Sequence, residues 1–152
     1  MFRMATEKDC DAVYRLICDM EAKTLSYDDF TRIYQRQAKD ARYECLICEE
    51  AQEIVGVLNL RYEEQLHHAA MIAEIMEFVV DSRYRSKGYG RKMLDYACRR
   101  AVEKGCIQIE VACNQLRKDT HRFYSREGMK NYHFKFSMDL TGCESKGNAL
   151  GR

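Results

Sequence analysis

The sequence contains no proline among its 152 residues, which excludes slow prolyl isomerisation as a step in its folding. Long apolar runs are missing too. None reaches the roughly 18 residues that a bilayer-spanning helix requires, so no membrane partner is expected. A surplus of charge is also lacking: 25 Lys and Arg stand against 24 Asp and Glu, a formal net charge of +1. Such a balance suits neither a nucleic-acid coat nor a polybasic membrane clamp, and no nucleic-acid partner is expected. The stretch Met1-Phe2-Arg3-Met4-Ala5-Thr6-Glu7 turns acidic too early to read as a secretory signal. Repeats, low-complexity tracts and Gly/Ser linkers are absent before the carboxyl end.

What is present suits one globular domain. Apolar residues make up 46%, and a chain of this length buries roughly 70% of its unfolded surface. The eight cysteines fall inside periodic segments rather than framing loops, so they read as buried free thiols of a cytoplasmic protein. Cys45 and Cys48 have C-x-x-C spacing, but within a strand they would point to opposite sheet faces.

Thr6 and Asp9 mark a helix start, followed by Val13, Leu16, Ile17 and Met20 at helical spacing. Ser26 opens a second helix to about Lys39. Residues Tyr43 to Cys48, a turn at Glu49 to Glu53, and Ile54 to Tyr62 read as a hairpin. Met71 to Val80 is a mostly apolar strand carrying Glu74 and Glu77. A basic loop, Ser82 to Gly90, leads into a helix with Met93, Leu94, Ala97, Cys98, Ala101 and Val102 on one side, ended by Gly105. Ile107, Ile109, Val111 and Cys113 alternate as a strand, and a helix around Thr120 to Arg126 closes at Gly128. The plainest alternation is the last: Tyr132, Phe134, Phe136, Met138 and Leu140 against His133, Lys135, Ser137 and Asp139. The expected order is β-α-α-β-β-β-α-β-α-β, an α/β (α+β) domain over residues 1–140 with a mixed sheet flanked by helices, and a frayed tail at 141–152.

The loop before the third long helix carries the chemistry. Glycines at a helix start let backbone approach a ligand closely, and first-turn amides point outward, an arrangement suited to phosphate. A P-loop would need Lys-Ser or Lys-Thr after its glycine. A dinucleotide fingerprint would need glycine where Met93 stands. The pattern that fits is R-x-x-G-x-G, met by Arg85, Gly88 and Gly90.

On that motif the chain resembles the GNAT superfamily of acetyl-CoA-dependent N-acetyltransferases. Asn114 and Tyr124 follow in the order that superfamily uses them, and residues Arg117 to Gly128 resemble its second signature. The resemblance implies a mostly antiparallel GNAT sheet over nearly all of residues 1–140. It departs at Ser82 and Ser86, where proline and glycine are usual. A closer likeness is to bacterial aminoalkylphosphonate N-acetyltransferases, carried by Asp11-Ala12-Val13-Tyr14, Leu66-His67-His68, Glu74-Ile75, Val79-Val80, His121-Arg122-Phe123-Tyr124 and His133-Phe134-Lys135-Phe136. It implies acetyl transfer to the amine of a small aminophosphonate, aided by a divalent cation. Dimers are frequent in the family, so a homodimer is among the expectations.

The same resemblance assigns the acetyl-CoA contacts to Phe78, Val79, Val80, Arg85, Ser86, Lys87, Gly88, Tyr89, Gly90, Arg91, Asn114, Arg117 and Tyr124. An ammonium of pKa about 10.4 costs about 4.6 kcal/mol to deprotonate at pH 7, so a base is needed. Glu74 and Glu77 are the candidates. They face opposite ways in a regular strand, and both line one site only if a bulge intervenes; Glu74 is preferred. Tyr124 would donate to the departing thiolate. Full proton transfer from tyrosine would run uphill by about 2 kcal/mol. His67, His68, His133 and Lys135 are candidates for the substrate anion, and His67 and His68 for a divalent metal. The alternatives are an acetylase of another amine (polyamine, peptide or protein amino group) and a catalytically silent acyl-CoA-binding module.

Overall fold

The computed structural model describes residues 1–142. Its elements are β1 (Phe2–Met4), α1 (Cys10–Glu21), α2 (Tyr27–Ala38), β2 (Tyr43–Glu50), β3 (Glu53–Gln65), β4 (Ala70–Val80), α3 (Tyr89–Glu103), β5 (Gln108–Val111) and α4 (Lys118–Arg126). The chain divides into two compact units, Met1–Cys113 and Asn114–Arg152.

The first unit holds a five-stranded sheet in the order β1-β2-β3-β4-β5. The first four strands pair antiparallel and β5 runs parallel to β4, as the mixed, mostly antiparallel expectation requires. The β2–β3 turn is tighter than the Glu49 to Glu53 expected. Glu49, Glu50 and Glu53 belong to the ladder, leaving Ala51 and Gln52 at φ 49° and 65°. Two positive-φ residues make the mirror-image turn whose twist matches the flanking strands.

Helices cover both sheet faces. On one, Val13, Leu16 and Ile17 of α1 pack with Ile47, Ile54, Val57 and Val79, and α2 adds Phe30 and Tyr34. On the other, α3 buries Met93, Leu94, Ala97 and Ala101. Gly56 lets α3 come close, since a Cβ there would lie 2.7 Å from Met93 Sδ. The last turns of α3 are tied to β2 through Glu44, which accepts from Arg100 Nη2 at 2.6 Å and from the Tyr62 hydroxyl at 2.7 Å. Burial alone would raise the Glu44 carboxyl, but the Arg100 and Tyr62 hydrogen bonds outweigh it and hold it below its usual range. Cys45 sits opposite Asn59 and Cys48 opposite Gly56, which turns the two thiols to opposite faces. Every described cysteine is free, and burial pushes Cys45 up to about 12, which suppresses its thiolate.

Three expectations fail. Val102, assigned to the apolar side of α3, is 73% exposed, and Ile107, assigned to the fifth strand, precedes β5 and is 63% exposed. More consequentially, the strand expected at residues 132–140 does not form among the described residues. Alternation selects a face for a strand, but a strand exists only where a second backbone completes its ladder. The described order therefore ends on α4. In the second unit, Asn114 builds a turn: its Oδ1 accepts from Leu116 N at 2.8 Å, and its carbonyl from Arg117 N at 3.0 Å. Gly128, at φ 89°, ends the chain's turn after α4. Of the expected tail, residues 143–152 lie outside the described residues. No helix among the described residues is long and apolar enough to cross a membrane.

Candidate active site

The long strand β4 carries both candidate carboxylates, and its pairing with β3 is irregular in the stretch between them. Glu74 lies opposite Arg61 and Ile75 opposite Leu60, whereas Glu77 lies opposite Asn59. Met76 is thus an extra residue on β4, a β-bulge. Without it, residues 74 and 77 would face opposite sides. With it, Glu74 and Glu77 share the face that also carries Asn59 and Arg61, because residues two apart on β3 point the same way.

The two carboxylates have different surroundings. Arg61 Nη2 donates to Glu74 Oε2 at 2.7 Å, and the same guanidinium reaches Glu63 at 3.4 Å. Glu74 is therefore committed to an ion pair. Glu77 has no such cation. Burial raises its carboxyl above the usual range, and a hydrogen bond from Asn59 opposes that rise without cancelling it. Asn59, itself buried, spends both amide hydrogens on this arrangement. One goes to Glu77 Oε2 and one to Gln37 Oε1 of α2, each at 2.9 Å. A carboxylate held in place and shifted toward neutrality has the character of a general base.

Asn59 and Gln37 were absent from the sequence-derived candidates. The available signal was Asn59 itself, a polar residue in the apolar run Val57-Leu58-Asn59-Leu60. Buried amides require partners.

Beyond this pair the sheet opens. The β4–β5 ladder ends at Ile75 and Val111, while β4 continues through Phe78 and Val79 to Val80. The basic loop follows at once. Asp81 Oδ1 accepts from the Arg83 amide at 2.9 Å and fixes the first turn, and Arg85 Nε donates to the Val80 carbonyl at 3.0 Å. Ser86 is held at φ 60°, a conformation that glycine would adopt without strain. Gly88 caps α3 at φ 84°, and the first intrahelical bond runs from Lys92 N to the Gly88 carbonyl. The amides of Tyr89 and Gly90 precede it, at the positive end of the helix dipole. A Cβ placed on Gly88 would meet no atom within 4 Å, so the space above this helix start is open. Lys87 lies over the Tyr84 ring at 5.0 Å, and Tyr84 meets Tyr89 edge to face at 6.1 Å. The residues present therefore fit a diphosphate: a helix start, an open glycine and the cations Arg85, Lys87 and Arg91.

The other candidates fall on other elements of the chain. His67 and His68 sit in the β3–β4 turn, their rings 4.3 Å apart, with His68 Nδ1 2.8 Å from Gln65 Oε1. At about 3.3 Å per strand residue, that turn is on the order of 20 Å from Glu77 along β4. Among the described residues no three His, Cys, Asp or Glu side chains are grouped to hold a metal. The donor set among the described residues does not fit a resident divalent cation. Asn114, Arg117 and Tyr124 belong to the second unit, with Tyr124 on α4 edge to face with Phe123. His133 and Lys135 fall on the exposed stretch that forms no strand.

The chain as a whole is similar to known proteins. Residues 10–129 match the family model described as Acetyltransferase (GNAT) family. An aminoalkylphosphonate N-acetyltransferase from Salmonella typhimurium is 36% identical over 91% of this chain and 90% of its own length. A glucosamine 6-phosphate N-acetyltransferase from Arabidopsis thaliana is 27% identical over 72% of this chain and 74% of its own. The crystal structure of a transcriptional regulator from Bacillus halodurans superposes with a TM-score of 0.85, at 26% identity, over 91% of this chain and 98% of that one.

Proposed function

Because the chain belongs to the Acetyltransferase (GNAT) family, whose members are N-acetyltransferases that use acetyl-CoA, we propose that its acceptor is the primary amine of a small molecule carrying a phosphorus oxyanion, foremost an aminoalkylphosphonate. The acceptor class is supported by two relatives that cover most of the chain. One is named for an aminoalkylphosphonate and the other for glucosamine 6-phosphate. Both compounds join an amine to a phosphorus oxyanion.

The observation that carries the mechanism is the bulge at Met76, which brings Glu77 onto the Asn59 face of β4. Glu77 is the proposed base, in preference to Glu74, whose carboxylate is taken by Arg61. Acetyl-CoA supplies an acyl group already activated as a thioester. The amides at the start of α3 hold its diphosphate, and Gly88 lets the backbone approach. The main-chain amide of Val80, on the β4 edge turned away from β3, donates to the thioester carbonyl as negative charge develops there. Glu77 takes the proton of the attacking amine, directly or through a water, as the nitrogen–carbon bond forms and the carbon–sulfur bond breaks. The family resemblance gives Tyr124 the part of hydrogen-bond donor to the departing thiolate. Asn59 positions Glu77, and Gln37 positions Asn59.

The test is release of free thiol from acetyl-CoA across a panel of amines: 2-aminoethylphosphonate, 1-aminoalkylphosphonates, glucosamine 6-phosphate, a polyamine and a peptide. The expected result is turnover on the phosphorus-bearing amines well above the others. Turnover confined to the polyamine or the peptide overturns the acceptor class and leaves family membership standing.

A further inference from the structure

We propose that the turned end of the β2–β3 hairpin braces the loop at residues 82–90, and that Glu53 is the positioning residue that keeps this loop in the shape acetyl-CoA requires. The inference rests on the reading of that loop as the seat of the diphosphate.

The hairpin breaks a local rule at this point. Glu50 and Glu53 stand directly opposite each other in the ladder, where like charges repel. The turn between them, Ala51 and Gln52 at positive φ, fixes that register. A departure from local preference of this kind marks a place where tertiary contacts supply the compensation. Here they come from the loop. Arg83 Nη2 donates to Glu53 Oε1, across 30 residues of sequence, and the Tyr84 hydroxyl reaches Glu53 Oε2 at 3.4 Å. Arg15 of α1 adds a second cation, 3.8 Å from Glu53 Oε1. Burial raises the Tyr89 phenol above its usual range, and the neighbouring Glu50 carboxylate raises it further.

These contacts act on both ends of the loop. Arg83 is also held by Asp81, through Nε at 3.1 Å and Nη2 at 2.8 Å, and the Asp81 amide donates to the Val55 carbonyl of β3 at 2.8 Å. The guanidinium is thus committed to two protein carboxylates. The Tyr84 ring lies under Lys87 at 5.0 Å and against Tyr89, the first residue of α3, at 6.1 Å. Through Arg83 and Tyr84, Glu53 sets the place of a loop cation and of the helix start.

One exposed ion pair contributes little to stability. Its leverage is on binding. A ligand that needs one loop conformation binds more weakly in proportion to the fraction of molecules that lack it, and ordering a loop at the moment of binding costs conformational entropy. A brace that fills the competent state beforehand removes that loss.

Glu53→Ala should raise the Kd for acetyl-CoA at least about fivefold in titration calorimetry. KM for acetyl-CoA should rise to match, while kcat at saturating acetyl-CoA and KM for the amine stay within about twofold of the parent. Arg83→Ala should weaken acetyl-CoA binding similarly, and the double variant should lose no more than either alone, since the two residues act as a unit. In the unliganded protein, amides of residues 82–90 should exchange faster in Glu53→Ala than in the parent, and the difference should close at saturating acetyl-CoA. Glu53→Gln keeps the side chain's shape, guards against an alanine variant that fails to fold, and should change affinity in the same direction. Folded variants with the parent's affinity, or losses that add in the double variant, would overturn the brace. Unchanged affinity in Gly88→Val overturns the diphosphate reading and the brace with it; a loss at Gly88 with none at Glu53 overturns the brace alone.

Discussion

At the residue scale, the proposed base is a single carboxylate, and its position is maintained at a cost to stability. Glu77 is buried with its pKa raised, so its ionised form is disfavoured in the folded state. A group whose folded pKa exceeds its unfolded value contributes stability below the unfolded pKa, and that contribution is lost as pH rises through the folded pKa. Glu77→Gln removes this loss at neutral pH while keeping an acceptor for the Asn59 amide. The variant should lose roughly 10²- to 10⁴-fold in kcat, with a thermal midpoint equal to the parent's or higher. The parent's kcat/KM should fall as pH drops through a pKa above the usual carboxylate range, and the variant should lack that limb. A variant that turns over like the parent would remove Glu77 from the mechanism. Asn59 is the proposed positioning residue for Glu77. Its two donated bonds tie a strand carboxylate to a helix side chain across the sheet face.

At the scale of elements, the consequential ones are the bulged strand and the loop after it. A bulge bends one strand, re-aims its side chains and shifts register, and here it places two glutamates three residues apart on a common face. The loop then turns through Ser86 and Gly88, both at positive φ. A side chain at Gly88 would touch no protein atom, so its effect divides into backbone strain and obstruction of whatever lies above the helix start. Gly88→Val should destabilise the fold by about 1–2 kcal/mol, the cost of a β-carbon in the left-handed region. It should weaken acetyl-CoA binding by at least about tenfold, since a 1.4 kcal/mol loss already gives that factor. Titration calorimetry alongside thermal unfolding separates the two effects. Unchanged affinity in a folded variant would dissociate this loop from the diphosphate.

At the scale of the whole molecule, charge ties the chain's first strand to the remainder of its sheet unit. Arg3 donates bidentately to Asp9 at 2.9 and 3.0 Å, and its Nε donates to Glu49 of β2 at 3.0 Å. The Arg3 hydrogen bond, against opposing burial, lowers the Asp9 carboxyl to about 2. The folded pKa lies below the unfolded value near 3.9, so this stabilisation is complete above pH 4 and lost as pH falls through about 2. Arg3→Met should cost about 2 kcal/mol in urea unfolding at neutral pH, and the gap from the parent should narrow progressively below pH 4. A gap independent of pH would assign the loss to packing instead.

Much of the element order was legible in the sequence because helix spacing, strand alternation and cap residues are local properties. The stripe Val13, Leu16, Ile17 and the glycines after α3 and α4 announce themselves within one turn of chain. The glycine loop before α3 was legible for the same reason, since Arg85, Gly88 and Gly90 lie within six residues. The sequence by itself therefore determined the family, the main helices, the long strands and the glycine turn before α3. Register, pairing and cover were decided only by tertiary structure. The Met76 bulge depends on how β3 lies against β4. The ion pair that occupies Glu74 depends on Arg61 of the neighbouring strand, and the environment of Glu77 on Asn59 and Gln37 from two other elements. The alternating stretch 132–140 marks the boundary most clearly: its pattern is fixed by composition, yet a strand also needs a partner backbone, and no pattern within a segment specifies where that partner is.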